Sequence, residues 1–296
     1  MTLTKILIAG DFSKHSDYAL QRAIYLAEEH KAQLIFLHVL TQPWIGALAQ
    51  HSIQELDEEF IAVKKKTEEE LFNRLKKYSQ QFKIQISVQF GRATDEIVRY
   101  AHDNHCDIIV AGAHGEYYIN DYVLGTTSGA IVRNSLMPVL LVKKDPTFSY
   151  NRILIATDLS EVSRDAIEFT YKSFPNATFQ LLHVVDVYYR KFFNVREPDE
   201  YLIGSEIHAA QGIVSRLDEF LTSCQVDKSK FQQKIMGGYY ADLIVSQSEK
   251  WQADLVAFGT QGNSKLHYLL MGSVTKRLLQ LSTTDMLAVP PRNKKH

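Results

Sequence analysis

KILIAGD, residues 5–11, and RILIATD, residues 152–158, lie 147 positions apart. Each is a cation, an apolar run and an aspartate, and each leads into a serine, Ser13 in D-F-S and Ser160 in D-L-S. A fixed offset is the mark of an internal duplication, and the offset recurs. Gly91 answers Gly238, Asp95 answers Asp242, and CDIIVAGAHG (106–115) answers ADLVAFGTQG (253–262), all at 147. LIFLHV, ending at Val39, answers FQLLHV, ending at Val184, at 145, so a two-residue indel lies on either side. The chain of 296 residues is therefore one unit used twice, with domains expected at 1–146 and 151–296. The polar, proline-containing stretch KDPTFSY (144–150) reads as the linker.

Within a unit, short apolar runs alternate with helical patterns. In the first, Lys5–Ala9, Gln33–Val39, Ile84–Phe90, Asp107–Ala111 and Pro138–Val142 read as strands. Ser16–Glu29, Ile53–Lys77, Thr94–His105 and Leu124–Asn134 read as helices, their apolar residues spaced three and four apart. Continuous apolar strands joined by helices imply a parallel sheet covered on both faces. Right-handed crossovers make it doubly wound. The expected fold class is α/β, with two tandem domains, each a five-stranded parallel sheet of Rossmann-like type. Ligands of such sheets sit beyond the carboxyl ends of the strands, where the strand order reverses.

Composition narrows the function. Lys plus Arg is 33 and Asp plus Glu 34, without the basic excess that non-specific nucleic-acid binding needs. No apolar run approaches the ~18 residues of a membrane span, and the first residues are too short a run for a signal-peptide core. The expectation is a cytoplasmic protein with neither nucleic acid nor membrane as partner. Cys106 and Cys224 form no CxxC, so neither a disulfide framework nor a zinc site is expected. His, Cys and carboxylates nowhere take metal-ligand spacing.

The chemistry concentrates after the fourth strand. Gly112-Ala-His114-Gly115 is followed, after nine residues, by Gly125-Thr126, and Gly259-Thr-Gln261-Gly262 by Gly272-Ser273 at the same interval. Three glycines at fixed offsets arise by chance at roughly 3 in 10,000 starting points, and here the pattern G-x2-G-x9-G-[ST] occurs twice at the repeat offset. Glycines at a strand end permit a positive φ and a close ligand approach. A glycine opening a helix presents free N–H groups and the positive end of the dipole to an anion. The hydroxyl that follows can donate to the anion or cap the helix. The ensemble suits a phosphate chain, and it is neither a P-loop nor a dinucleotide fingerprint.

These residues, with ILIAGDFS, ILIATDLS, LHV in both halves and PVLLVK after the first ruler, make the chain resemble a tandem universal stress protein over nearly its whole length. The resemblance implies a regulatory role under stress and, as in the nucleotide-binding members, an ATP site, with Mg²⁺ able to arrive with the nucleotide. It also implies pairing through the last strand, the two halves packing as a pseudo-dimer and two chains forming a homodimer. Carried onto this sequence, Ala9, Gly10 and Asp11 would border base and ribose, and Val39 would meet the adenine. Gly112, His114, Gly115, Gly125, Thr126 and Thr127 would hold ribose and phosphates. In the second domain Ala156, Thr157, Asp158 and Val184 take the first parts, and Gly259, Gln261, Gly262, Gly272, Ser273 and Val274 the second. The halves depart from each other at His114 against Gln261, and TTDMLAVPP (283–291) lacks the proline the family usually has before its last strand.

Other residues have plainer readings. Asp11 and Asp158 precede helices, where a carboxylate commonly caps. His38 and His183 read as structural histidines. KKKTEEE (64–70) is a solvated helix face. The stretches 41–51 and 185–201 read as domain contacts, or lids over the nucleotide. No activated nucleophile or carboxylate pair stands out, so an enzyme is not expected. A scaffold with vestigial pockets and a slow ATPase are the alternatives.

Overall fold

Ile6, Leu7 and Ile8 are fully buried, which only the central strand of a sheet covered on both faces achieves. The computed structural model describes residues 3–41, 53–79, 82–113, 125–146, 149–186, 204–262 and 272–292. The chain divides into two compact units, one through Pro146 and one from Thr147.

The first unit runs β1 (Lys5–Ala9), α1 (Lys14–His30), β2 (Gln33–Leu40), α2 (Ile53–Ser79), β3 (Ile84–Phe90), α3 (Ala93–Asp103), β4 (Ile108–Gly112), α4 (Thr126–Asn134) and β5 (Val139–Val142). All its strand pairs are parallel, in the order β3-β2-β1-β4-β5. The second runs β6 (Arg152–Thr157), α5 (Glu161–Ser173), β7 (Thr178–Val185), α6 (Gly204–Ser223), β8 (Phe231–Gly237), α7 (Tyr240–Lys250), β9 (Leu255–Gly259), α8 (Ser273–Leu281) and β10 (Asp285–Val289). Its order, β8-β7-β6-β9-β10, repeats the first. The order reverses between β1 and β4 and between β6 and β9, so each crevice opens where D-x-S and the glycine ruler stand.

The repeat extends to detail. Gly91 and Gly238 adopt φ 145° and 152°, a conformation L side chains rarely enter, and each turns the chain from a strand into a helix. Asp107 Oδ2 accepts from the Thr4 and Lys5 N–H groups, as Asp254 Oδ2 does from those of Asn151 and Arg152. The departure at the last strand leaves β10 in register with β9. Where the first half has Pro138 the second has buried Asp285, whose Oδ2 accepts the Tyr150 hydroxyl at 2.6 Å. Both cysteines are buried and unpaired with each other, and burial pushes each thiol up to about 11. No described helix is long and apolar enough to cross a membrane.

Candidate functional site

The turn after the first strand of each half is built by its own short-range chemistry. Asp11 Oδ1 accepts from Ser13 N–H, and Asp158 Oδ1 from Ser160 N–H, both at 3.1 Å. The residue between lies in the left-handed region, Phe12 at φ 65° and Leu159 at 63°. The expectation that Asp11 and Asp158 cap helices is corrected here: the caps are Ser13 and Ser160, each accepting from the N–H three residues on. Each aspartate instead makes the Asx turn that delivers the serine. The backbone N–H groups of Asp11 and Asp158 donate to Ser16 Oγ and Ser163 Oγ.

The strand behind this turn is pinned by a histidine. Nδ1 of His38 lies 2.7 Å from the Gly10 carbonyl, and Nδ1 of His183 lies 2.9 Å from that of Thr157. A carbonyl only accepts, so the ring proton sits on Nδ1. Burial holds the His183 pKa below its usual value, against the pull of the Thr157 carbonyl and the Asp158 charge, with Arg216 adding to the lowering. A group held neutral in the fold contributes stability above its unfolded pKa, about 6.5, and loses it as pH falls through that value toward the folded one. We therefore expect the imidazole titration of His183, followed by NMR, to have its midpoint below 6.5, and a His183→Gln variant to lose less stability between pH 7.5 and 5 than the parent.

The ruler glycines need correcting in their reason. None of Gly112, Gly259, Gly262 and Gly272 has a positive φ. Close approach explains the first pair. A Cβ on Gly112 would stand 2.8 Å from the backbone of His15, and one on Gly259 2.9 Å from Val162 Cγ1. The helix that follows the first strand of each half, α1 or α5, thus packs directly on the end of β4 or β9. Gly125 and Gly272 are the N-cap residues of α4 and α8, at φ −57° and −58°, with no side-chain cap. Thr126 and Ser273 are therefore first helical residues and not caps, which corrects that expectation as well. In α8 the first intrahelical bond runs from Lys276 N–H to the Gly272 carbonyl. The N–H groups of Ser273, Val274 and Thr275 precede it and are directed out of the helix start, the arrangement that suits an anion.

In the second domain these parts close around a cavity of about 650 Å³, within the size range of small-molecule sites. All ten second-domain candidates, Ala156, Thr157, Asp158, Val184, Gly259, Gln261, Gly262, Gly272, Ser273 and Val274, line it. Asp158 faces the ruler directly, because a Cβ on Gly262 would stand 2.6 Å from its Oδ2. Among the wall residues that sequence reasoning did not place at the site are Asp186, Arg216 and Tyr240, together with His183, which it read as structural. Asp186 could have been found, since it follows the LHVV stretch directly. Arg216 on α6 and Tyr240 on α7 carry no local signal. Burial and the Asp186 charge both push the Tyr240 hydroxyl up. Ser163 Oγ donates to Asp158 Oδ1 while accepting from Asp158 N–H, so it is tied into the turn.

In the first domain Ala9 and Gly10 stand at the end of β1, Asp11 in the turn, Val39 near the end of β2, and Gly112 at the end of β4. Gly125, Thr126 and Thr127 form the start of α4. His114 and Gly115 lie outside the described residues, as do 42–51 and 187–201 of the two loop stretches. Among the described residues no cluster of three His, Cys, Asp or Glu side chains could hold a metal ion.

The sequence profile of the universal stress protein family matches residues 2–143 and again 149–290. The chain belongs to the universal stress protein family. A universal stress protein of Methanocaldococcus jannaschii is 29% identical over 143 residues, covering 47% of this chain and 82% of its own length. Among solved structures, one from Pseudomonas aeruginosa superposes with a TM-score of 0.69 at 16% identity, covering 98% of this chain and 94% of its own. A universal stress protein from Archaeoglobus fulgidus reaches 0.59 at 17% identity, covering 98% and 97%. At such identities the structures speak to the fold, and that fold spans both halves. This universal stress protein is thus a tandem one, each half a doubly wound α/β domain.

Proposed function

We propose that this chain is an ATP-binding regulatory protein of the stress response, acting in the cytoplasm through a protein partner and pairing as a homodimer, and not a catalyst. One observation carries the reading. All ten second-domain residues singled out by the repeat and by family resemblance wall one cavity, with a helix start at its edge. The volume suits a nucleotide. Ala156, Thr157 and Asp158 would border base and ribose, and Val184 the base. Gly259, Gln261 and Gly262 would pass beneath ribose and phosphates. The α8 N–H groups would receive the phosphates, whose negative charge the helix dipole favours. Mg²⁺ would travel with the triphosphate. The preference for adenine rests on the family. Against turnover, Ser163 is held in the turn and His183 holds the Thr157 carbonyl, so neither is poised as nucleophile or base. Ligand binding would stabilise the binding-competent form by mass action, and a partner could read that difference.

The test is direct. Protein purified without added nucleotide is denatured, and the released small molecules are identified and counted by mass spectrometry. We expect an adenine nucleotide, or, from protein stripped beforehand, binding of Mg-ATP by calorimetry. Neither release nor binding would leave the fold without the function proposed for it.

A further inference from the structure

We propose that only the second domain takes the nucleotide, and that the first fills the base end of its equivalent site with two of its own aromatic rings. The full chain then carries one nucleotide. This deepens the nucleotide reading above and rests on it.

The two sites correspond residue by residue, at an offset of 147 in the first strand and its turn and of 145 in the second strand. Thr157, a wall of the second-domain cavity, answers to Gly10. A Cβ on Gly10 would stand 2.1 Å from Phe36 Cζ and within 2.9 Å of both neighbouring ring carbons. The Phe36 ring therefore occupies the volume that the Thr157 side chain takes in the second domain. The counterpart of Phe36 is the smaller Leu181. Gly10 with Phe36 and Thr157 with Leu181 are two ways of sharing one space, and the first gives a buried aromatic ring the place that the Thr157 side chain takes at the cavity wall.

Phe12 adds a second ring. Its backbone matches that of Leu159, φ 65° against 63°, so its side chain leaves the turn in the same direction. Leu159 borders the cavity. The Phe12 ring instead lies on His38, with centroids 4.7 Å apart, and His38 answers to the cavity wall His183. Arg74 holds it there. Its guanidinium sits 5.1 Å from the ring centroid and donates to the Phe12 carbonyl at 2.9 Å and to Asp17 at 3.3 Å. In the second domain the counterparts of Arg74 and Asp17 are Phe220 and Arg164, and the Arg164 guanidinium lies over Phe220. Among the described residues Leu159 has no such clamp.

The charge changes as well. The buried pairs Leu71 with Leu217 and Leu75 with Leu221 align α2 with α6 at an offset of 146. The cavity residues Ile213 and Arg216 then answer to Thr67 and Glu70. A polyanion approaching the first domain meets a carboxylate where the second presents a guanidinium. The second domain would respond to nucleotide, and the first would keep its shape without it.

Calorimetry on nucleotide-free full-length protein with Mg-ATP tests this. We expect one site per chain, lost in Gly272→Val. The triple variant Gly10→Thr, Phe12→Leu, Phe36→Leu, which writes the second-domain residues into the first, is expected to gain a second site while keeping the far-UV circular dichroism of the parent. Two sites in the parent, or one that survives Gly272→Val, would overturn the asymmetry and leave the nucleotide reading standing. A folded triple variant that still binds one nucleotide would overturn the role given to the rings. No binding of ATP, ADP, AMP or cAMP by the parent would overturn the nucleotide reading, and this proposal with it.

Discussion

Gly272→Val is expected to weaken ATP binding at the second domain at least 100-fold while leaving the protein folded. The reason is that, among the described residues, Gly272 faces space and not protein. A Cβ there has Thr275 Oγ1 as its nearest neighbour, at 3.9 Å, and φ −58°, ψ 150° is backbone that any residue adopts. Replacing a glycine at an uncapped N-cap by a poor capping residue costs about 1 kcal/mol, which moves a Tm by roughly 2–4 °C at this domain size. The branched side chain, however, would stand in the wall of the cavity beside the N–H groups of Ser273 and Val274, where the proposed site would put the phosphates. Steric exclusion there removes the charge-assisted hydrogen bonds to those groups, at about 1.5–3 kcal/mol each. Thermal denaturation and calorimetry on one preparation separate the two effects. A variant that binds ATP as the parent does would remove the phosphates from the α8 start. Gly259→Val is the useful contrast, because its Cβ meets Val162 at 2.9 Å and the Val162 backbone at 3.2 Å. That substitution strikes packing and ligand together and cannot separate them.

Gly10→Thr should destabilise the first domain strongly, and Phe36→Leu should rescue it. A Cβ 2.1 Å from a ring carbon cannot be accommodated without moving Phe36, and that side chain is buried. Overpacking of this kind costs about 1–3 kcal/mol, occasionally more. Phe36→Leu alone leaves a void and costs a comparable amount. Together they recreate the Thr157 and Leu181 pair that the second domain already packs. The double variant should therefore be more stable than the sum of the singles by about 1–2 kcal/mol, a coupling well beyond the ~0.5 kcal/mol scatter of independent sites. Urea unfolding of the four proteins of the cycle measures it. Additive losses would show that the two residues do not share the space.

Much of this protein was legible as sequence, for a physical reason particular to duplicated α/β chains. A strand buried on both faces is a continuous apolar run, so ILIA in 6–9 and again in 153–156 announces a central parallel strand without any long-range information. Helix entry is equally local, since Ser13 and Ser160 cap through bonds to an N–H only three residues on. The repeat offset then links distant positions, so the ruler glycines could be paired between the halves from spacing, while the family resemblance is what added D-x-S and LHV to the same crevice. The tertiary structure decided what depends on which side chains converge from separate elements. It showed that Gly112 and Gly259 are glycine because a helix lies against them, and not for the sake of φ. It brought Arg216 and Tyr240, on helices with no motif, to the cavity wall. It also set the Phe36 ring against Gly10 where the twin has Leu181 and Thr157, and Phe12 on His38 where the twin has Leu159 and His183. Such differences lie in packing between elements, and a single sequence encodes packing only through contacts that its local pattern does not reveal.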